Sequence, residues 1–131
     1  MIGLDTNVLL RLFIEDDLAQ CERARRFVEA ATKNDVCFVN PIVFAEFVWT
    51  LARRMKRTKA EVVTLIEQLL LADDLEISHH AAASRALSAF RIGGADFADY
   101  FLAGINEDQG CSSTATFDGD ALDSKSFSPV P

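Results

Sequence analysis

Apolar residues follow two rhythms along this chain: short unbroken runs, and longer stretches spaced three and four apart. The first is the mark of buried strands and the second of amphipathic helices. Ile2 to Asp5 reads as a short buried strand, and Val8, Leu9, Leu12 and Phe13 then take up helical spacing. Leu18, Cys21, Ala24, Phe27, Val28 and Ala31 predict a second helix from about Asp16 to Thr32. Val36-Cys37-Phe38-Val39 is a second buried strand. Asn40-Pro41 is a helix start, because Asn caps free N–H groups and proline has none to lose, and this helix is expected to reach about Met55.

Thr58-Lys59-Ala60-Glu61 has the form of a capping box and opens a helix through Val62, Leu65, Ile66, Leu69 and Leu70. Leu75-Glu76-Ile77 is a brief third strand, Ser78 is placed to cap an Ala-rich helix, and Gly93-Gly94 stops it. A further helix runs from Asp96 to about Glu107, followed by a strand over Cys111 to Thr116. The Ser/Pro-bearing tail, from about residue 124 to 131, reads as irregular. Short apolar strands separated by helices predict an α/β layer fold with a largely parallel sheet. No repeat or linker interrupts the pattern, so residues 1–131 read as a single domain, long enough to bury roughly two-thirds of its unfolded surface.

Composition narrows the class. No apolar run approaches the roughly 20 residues of a membrane span, and no basic leader with a cleavage site opens the chain, so the expectation is a soluble, cytoplasmic protein. Cys21, Cys37 and Cys111 are odd in number and lack C-x-x-C spacing, which argues for buried thiols over disulfides or zinc. The net charge of −7 is unevenly spread: residues 1–59 carry +2 and residues 60–131 carry −9. Arg53, Arg54, Lys56, Arg57 and Lys59 are the densest cationic cluster. They suit a solvated helix end, favoured by the macrodipole, or a patch that contacts phosphates.

The candidate chemistry lies in acids at element edges. Asp5 closes the first apolar run, Glu46 sits among Ile42, Val43, Trp49 and Thr50 on a helix with no basic side chain in local reach, Asp99 follows Phe97-Ala98, and Asp118 ends Thr114-Ala115-Thr116-Phe117. Two carboxylates about 4 Å apart repel by roughly 4 kcal/mol at an effective dielectric of about 20, so a cluster of four calls for a cation or shared protons. A divalent metal is the simplest such cation. Each acid also has a plainer role: Asp5 can cap a helix, Asp96 can cap the helix in which Asp99 lies one turn further in, and Asp118 can start a turn before Gly119. Asp96 is therefore auxiliary to Asp99. Thr114 and Thr116 can supply hydrogen bonds to carboxylates or waters. Asp5 and Asp118 fall at predicted strand ends, where parallel sheets gather ligands. His79 and His80 have no partner at ligand spacing, and nucleotide-cradle, dinucleotide and hydrolase-elbow motifs are absent.

Ile2-Gly3-Leu4-Asp5-Thr6-Asn7, Ala45-Glu46-Phe47, Asp96-Phe97-Ala98-Asp99-Tyr100 with Phe101-Leu102-Ala103, and Thr116-Phe117-Asp118, in that order, resemble the PIN-domain family. Within it they are most similar to the VapC-type ribonuclease toxins of toxin–antitoxin pairs. The resemblance covers almost the whole chain. It implies a three-layer α/β/α fold with a central, largely parallel sheet, and an endoribonuclease dependent on Mg²⁺ or Mn²⁺. It also implies an acidic site of Asp5, Glu46, Asp99 and Asp118 with Asp96 and Thr116 nearby, a homodimer, and a small antitoxin that covers the site. The tail is only a weak version of the family's last strand. On this basis Asp5, Asp99 and Asp118 are expected as metal ligands, Glu46 as ligand or water-positioner, and Arg53, Arg54, Lys56 and Arg57 as contacts to the RNA backbone. The competing reading is a non-catalytic binding module whose acids hold a structural ion or a basic peptide. A phosphotransfer receiver fits poorly, since the only lysine after Lys59 is Lys125 in the tail.

Overall fold

The computed structural model describes Met1–Pro131 and resolves into two compact units, Met1–Ser78 and His79–Pro131. The fold is α/β with parallel strands, as expected of a PIN-like chain. The strands form two sheets, one in each unit.

In the first unit β1 (Ile2–Gly3), β2 (Cys37–Val39) and β3 (Leu75–Ile77) are parallel in that order, with Ile2 opposite Cys37 and Cys37 opposite Leu75. Between them run α1 (Thr6–Phe13), α2 (Leu18–Ala31), α3 (Pro41–Trp49) and α4 (Lys59–Leu71). Each start is capped as its local sequence dictates: Asp5, Asp17, Asn40 and Thr58 accept from Val8, Gln20, Val43 and Glu61 N–H respectively. Leu9, Cys21, Val39, Phe44, Phe47, Leu51, Val62, Ile66 and Leu69 fill the core, and Phe13 meets Phe47 edge-on at 5.7 Å.

The third helix departs from expectation at its end. α3 stops being regular at Trp49, and Thr50–Arg54 continue as a widened π-turn, closed by the Met55 N–H on the Thr50 carbonyl at 2.9 Å. Lys56 then takes a left-handed φ of 52° and ends the helix.

In the second unit α5 (His80–Ile92) packs on α6 (Phe97–Asp108), and β4 (Thr114–Thr116) pairs in parallel with β5 (Phe127–Pro129). The helices approach closely at Gly104, where an added Cβ would sit 3.3 Å from Ala82 Cβ. Phe97 lies at the aromatic centre, 6.1 Å from Phe90 and 5.6 Å from Phe101.

Three expectations are corrected here. Ser78 does not cap α5; its N–H bonds the Val39 carbonyl at 3.0 Å, and His79 makes the turn with a left-handed φ of 56°. Cys111 is exposed, whereas Cys21 and Cys37 are buried. The tail is not irregular: β5 places Phe127 opposite Thr114, the Thr114 N–H bonds the Ser126 carbonyl at 2.8 Å, and Ser113 and Ser128 hydroxyls meet at 2.8 Å. Hydroxyl contacts and one buried Phe hold this strand, so no apolar alternation announces it. Pro129 is tolerated because it closes the strand.

Candidate functional site

In the first unit the strand β1 delivers the chain to Asp5, whose carboxylate caps α1 by accepting from Val8 N–H at 3.0 Å. One residue on, the Thr6 hydroxyl donates to Glu46 Oε2 at 3.2 Å. The start of α1 is thereby tied to the middle of α3. Glu46 is exposed, as are Ile42 and Trp49 on the same stripe of α3, while Val43, Phe44, Phe47 and Val48 face the core. Glu46 therefore faces solvent despite its apolar neighbours in sequence. Its partner comes from 40 residues away, and Thr6 is the contact that sequence reasoning missed. A hydroxyl directly after a capping acid was the available signal.

In the second unit Gly93, Gly94 and Ala95 lead into α6. The Tyr100 hydroxyl, one turn inside the helix, accepts from the buried Ala95 N–H at 3.2 Å and so holds this approach down. Asp96 and Asp99 form a capping box, with the Asp96 N–H donating to Asp99 Oδ2 at 3.3 Å. Asp99 is the one half-buried acid of the candidate set; Asp5, Glu46, Asp96 and Asp118 are exposed. Burial holds its carboxyl above the ordinary range. The Asp96 backbone hydrogen bond works against that, and the charges of Asp96 and Asp118 add to it.

Asp118 is brought electrostatically to Asp99 by the turn after β4. The Thr116 hydroxyl accepts from Asp118 N–H at 3.0 Å, and Asp118 Oδ1 accepts from Asp120 N–H at 2.9 Å. Thr116 thus shapes the turn that presents Asp118, while Thr114 is engaged by Asn106 at 3.0 Å. The second unit gathers Asp96, Asp99, Asp118 and Thr116; the first gathers Asp5, Thr6 and Glu46. In neither unit do three acid, histidine or cysteine side chains draw close enough to form a metal site alone.

The cationic cluster leaves α3 through the π-turn. Arg53, Arg54, Lys56 and Arg57 are exposed, and Arg57 pairs with Glu61 at 3.4 Å across one turn, a surface contact of small energetic weight. His79 and His80 are exposed at the start of α5. No helix is long and apolar enough to cross a membrane.

Comparison with curated proteins yields no match. The family model described as PIN domain matches residues 2–127, running through both units. The chain therefore belongs to the PIN-domain family, whose members are in general nucleases that use divalent metal ions.

Proposed function

We propose that this protein is a metal-dependent endoribonuclease, the toxin of a toxin–antitoxin pair, acting in the cytoplasm as a homodimer. The observation that carries the nuclease reading is Asp99: a half-buried carboxyl kept above its ordinary range, facing the like charges of Asp96 and Asp118. Such an acid is relieved by a cation. The donor set fits Mg²⁺ or Mn²⁺, since carboxylate oxygens are the hard ligands these ions prefer. Asp99 and Asp118 are the ligands in the second unit; Asp5 as a third ligand, and Glu46, enter on their places in the matching motifs. When bound, the cation would offset charge on the scissile phosphate and raise the acidity of an attacking water.

The chain's own residues do the rest. Glu46, steadied by the Thr6 hydroxyl, serves as a further ligand or positions the attacking water. Asp96 fixes the rotamer of Asp99 through its backbone N–H, and Thr116 fixes the turn that carries Asp118. Arg53, Arg54, Lys56 and Arg57 contact the RNA backbone, offsetting the acidity of the rest of the chain. A basic antitoxin side chain would inhibit by pairing with the carboxylates in place of the cation.

The test is cleavage of RNA by purified protein with Mg²⁺, with chelator, and with the Asp5→Asn and Asp99→Asn variants. Cleavage that needs the metal and is lost in both folded variants is expected. A folded protein that binds RNA or basic peptide but never cuts would establish the binding-module reading instead. For the toxin role, expression should arrest growth in the wild type and not in Asp99→Asn.

A further inference from the structure

Large apolar side chains are exposed at many points on this surface, so exposure alone singles out none of them. Trp49 is distinguished by its company. It is 55% exposed, on a stripe of α3 that also carries Ile42, 69% exposed, and Glu46. These positions are spaced four and three apart, so they stack along one face. Past Trp49 the helix opens into the π-turn, and Arg53 and Arg54 follow it by four and five residues. In a turn closed between residues five apart, both come round toward the side of Trp49. A plain α-helix would carry Arg54 away. Along α3 and its π-turn a single exposed indole thus follows a carboxylate and precedes two guanidinium groups, within the stretch of residues 1–59 whose net charge is +2.

We propose that Trp49 is a stacking platform for an unpaired base of the RNA substrate, with Arg53 and Arg54 holding the phosphates next to that base. This rests on the nuclease reading above and adds the residue that would hold the substrate beside the site, an unpaired base against Trp49. An indole offers any base a π-face, and guanidinium groups supply the anion-binding charge that an apolar protein partner would not need. Bases locked in a duplex present no free face, so paired RNA gains nothing from Trp49.

Trp49 is the only tryptophan, so its fluorescence reports on the platform directly. The experiment titrates full-length Asp99→Asn protein, which leaves RNA intact, with a short labelled oligoadenylate and with a blunt RNA duplex, following indole emission and label anisotropy together. Oligoadenylate should quench the indole as it binds. On the same background Trp49→Leu, which keeps apolar area but has no π-face, should bind it about 5- to 150-fold more weakly, while Trp49→Phe stays near the parent. Duplex binding should be equal in all three. Oligoadenylate bound without quenching, and equally by Trp49→Leu, would overturn the platform and leave the nuclease reading standing. Emission that shifts to the blue with protein concentration alone, in a protein that Trp49→Leu turns monomeric, would assign this face to a second copy of the chain and overturn it too. If the parent binds no RNA and wild type cuts none, both readings fall.

Discussion

Replacing Gly93 by alanine should destabilise the second unit through one side chain. Gly93 ends α5, its N–H on the Ala89 carbonyl at 2.9 Å, with an ordinary extended backbone (φ −93°), so alanine meets no backbone strain there. What it meets is Tyr100. A Cβ at Gly93 would overlap the Tyr100 hydroxyl and lie 2.7 Å from Cζ, with the Ala89 carbonyl at 3.0 Å. Tyr100 is buried, and its hydroxyl accepts the Ala95 N–H that holds the approach to Asp96. Overpacking costs about 1–3 kcal/mol, and loss of that hydrogen bond about 0.5–1.5. The stiffer unfolded chain returns about 0.4–1 kcal/mol. The net expectation is a loss of about 1–4 kcal/mol.

Gly94 is the internal control. Nothing lies within 4 Å of a Cβ placed there and its φ is not positive, so Gly94→Ala should be neutral or slightly stabilising. Urea denaturation of the two variants and the parent reads the difference as a shift in midpoint at constant slope. Adding Tyr100→Phe removes the overlapping oxygen, so the double variant should lose less than the sum of the single losses. Gly93→Ala as stable as Gly94→Ala would refute the reasoning, since the contacts with Tyr100 and the Ala89 carbonyl are what separate the two positions.

Asp99→Asn should stabilise the protein at neutral pH while abolishing cleavage. Its carboxyl is held above the ordinary range in the folded state, so the charged form penalises folding above that raised value; the penalty fades as pH falls through it and is absent below the unfolded value. Melting curves should show a gain at neutral pH that shrinks in acid, and an equal gain at both would contradict the assignment. Asn40→Ala removes the cap on Val43 N–H, 2.9 Å long, and should cost about 0.5–2 kcal/mol by chemical denaturation, with Asn40→Ser restoring most of it. Phe127→Ala should cost about 3–5 kcal/mol and expose the Thr114 amide to rapid hydrogen exchange, since Phe127 anchors β5 and is only 8% exposed. An amide as protected as in the parent would mean that β4 stands without its partner.

What the sequence determined by itself is local. The caps at Asp5, Asn40 and Thr58, the apolar spacing of α2 and α4, and the unbroken run of β2 depend on residues within a turn or two of one another. That is why those elements were legible, and the motifs strung along them sufficed for the family. Tertiary structure decided what depends on partners far away in the chain. It recruited Phe127–Pro129 into a strand by pairing it with Thr114–Thr116, gave Glu46 a hydroxyl partner in Thr6, and held the Ser78 N–H on the Val39 carbonyl with the turn into α5 falling at His79. It also revised the reasoning about the acids. All four lie beside apolar residues in sequence, yet only Asp99 is half-buried, because a side chain's exposure depends on which face its element turns inward. No spacing rule carries that information, since it depends on what the rest of the fold packs against each face.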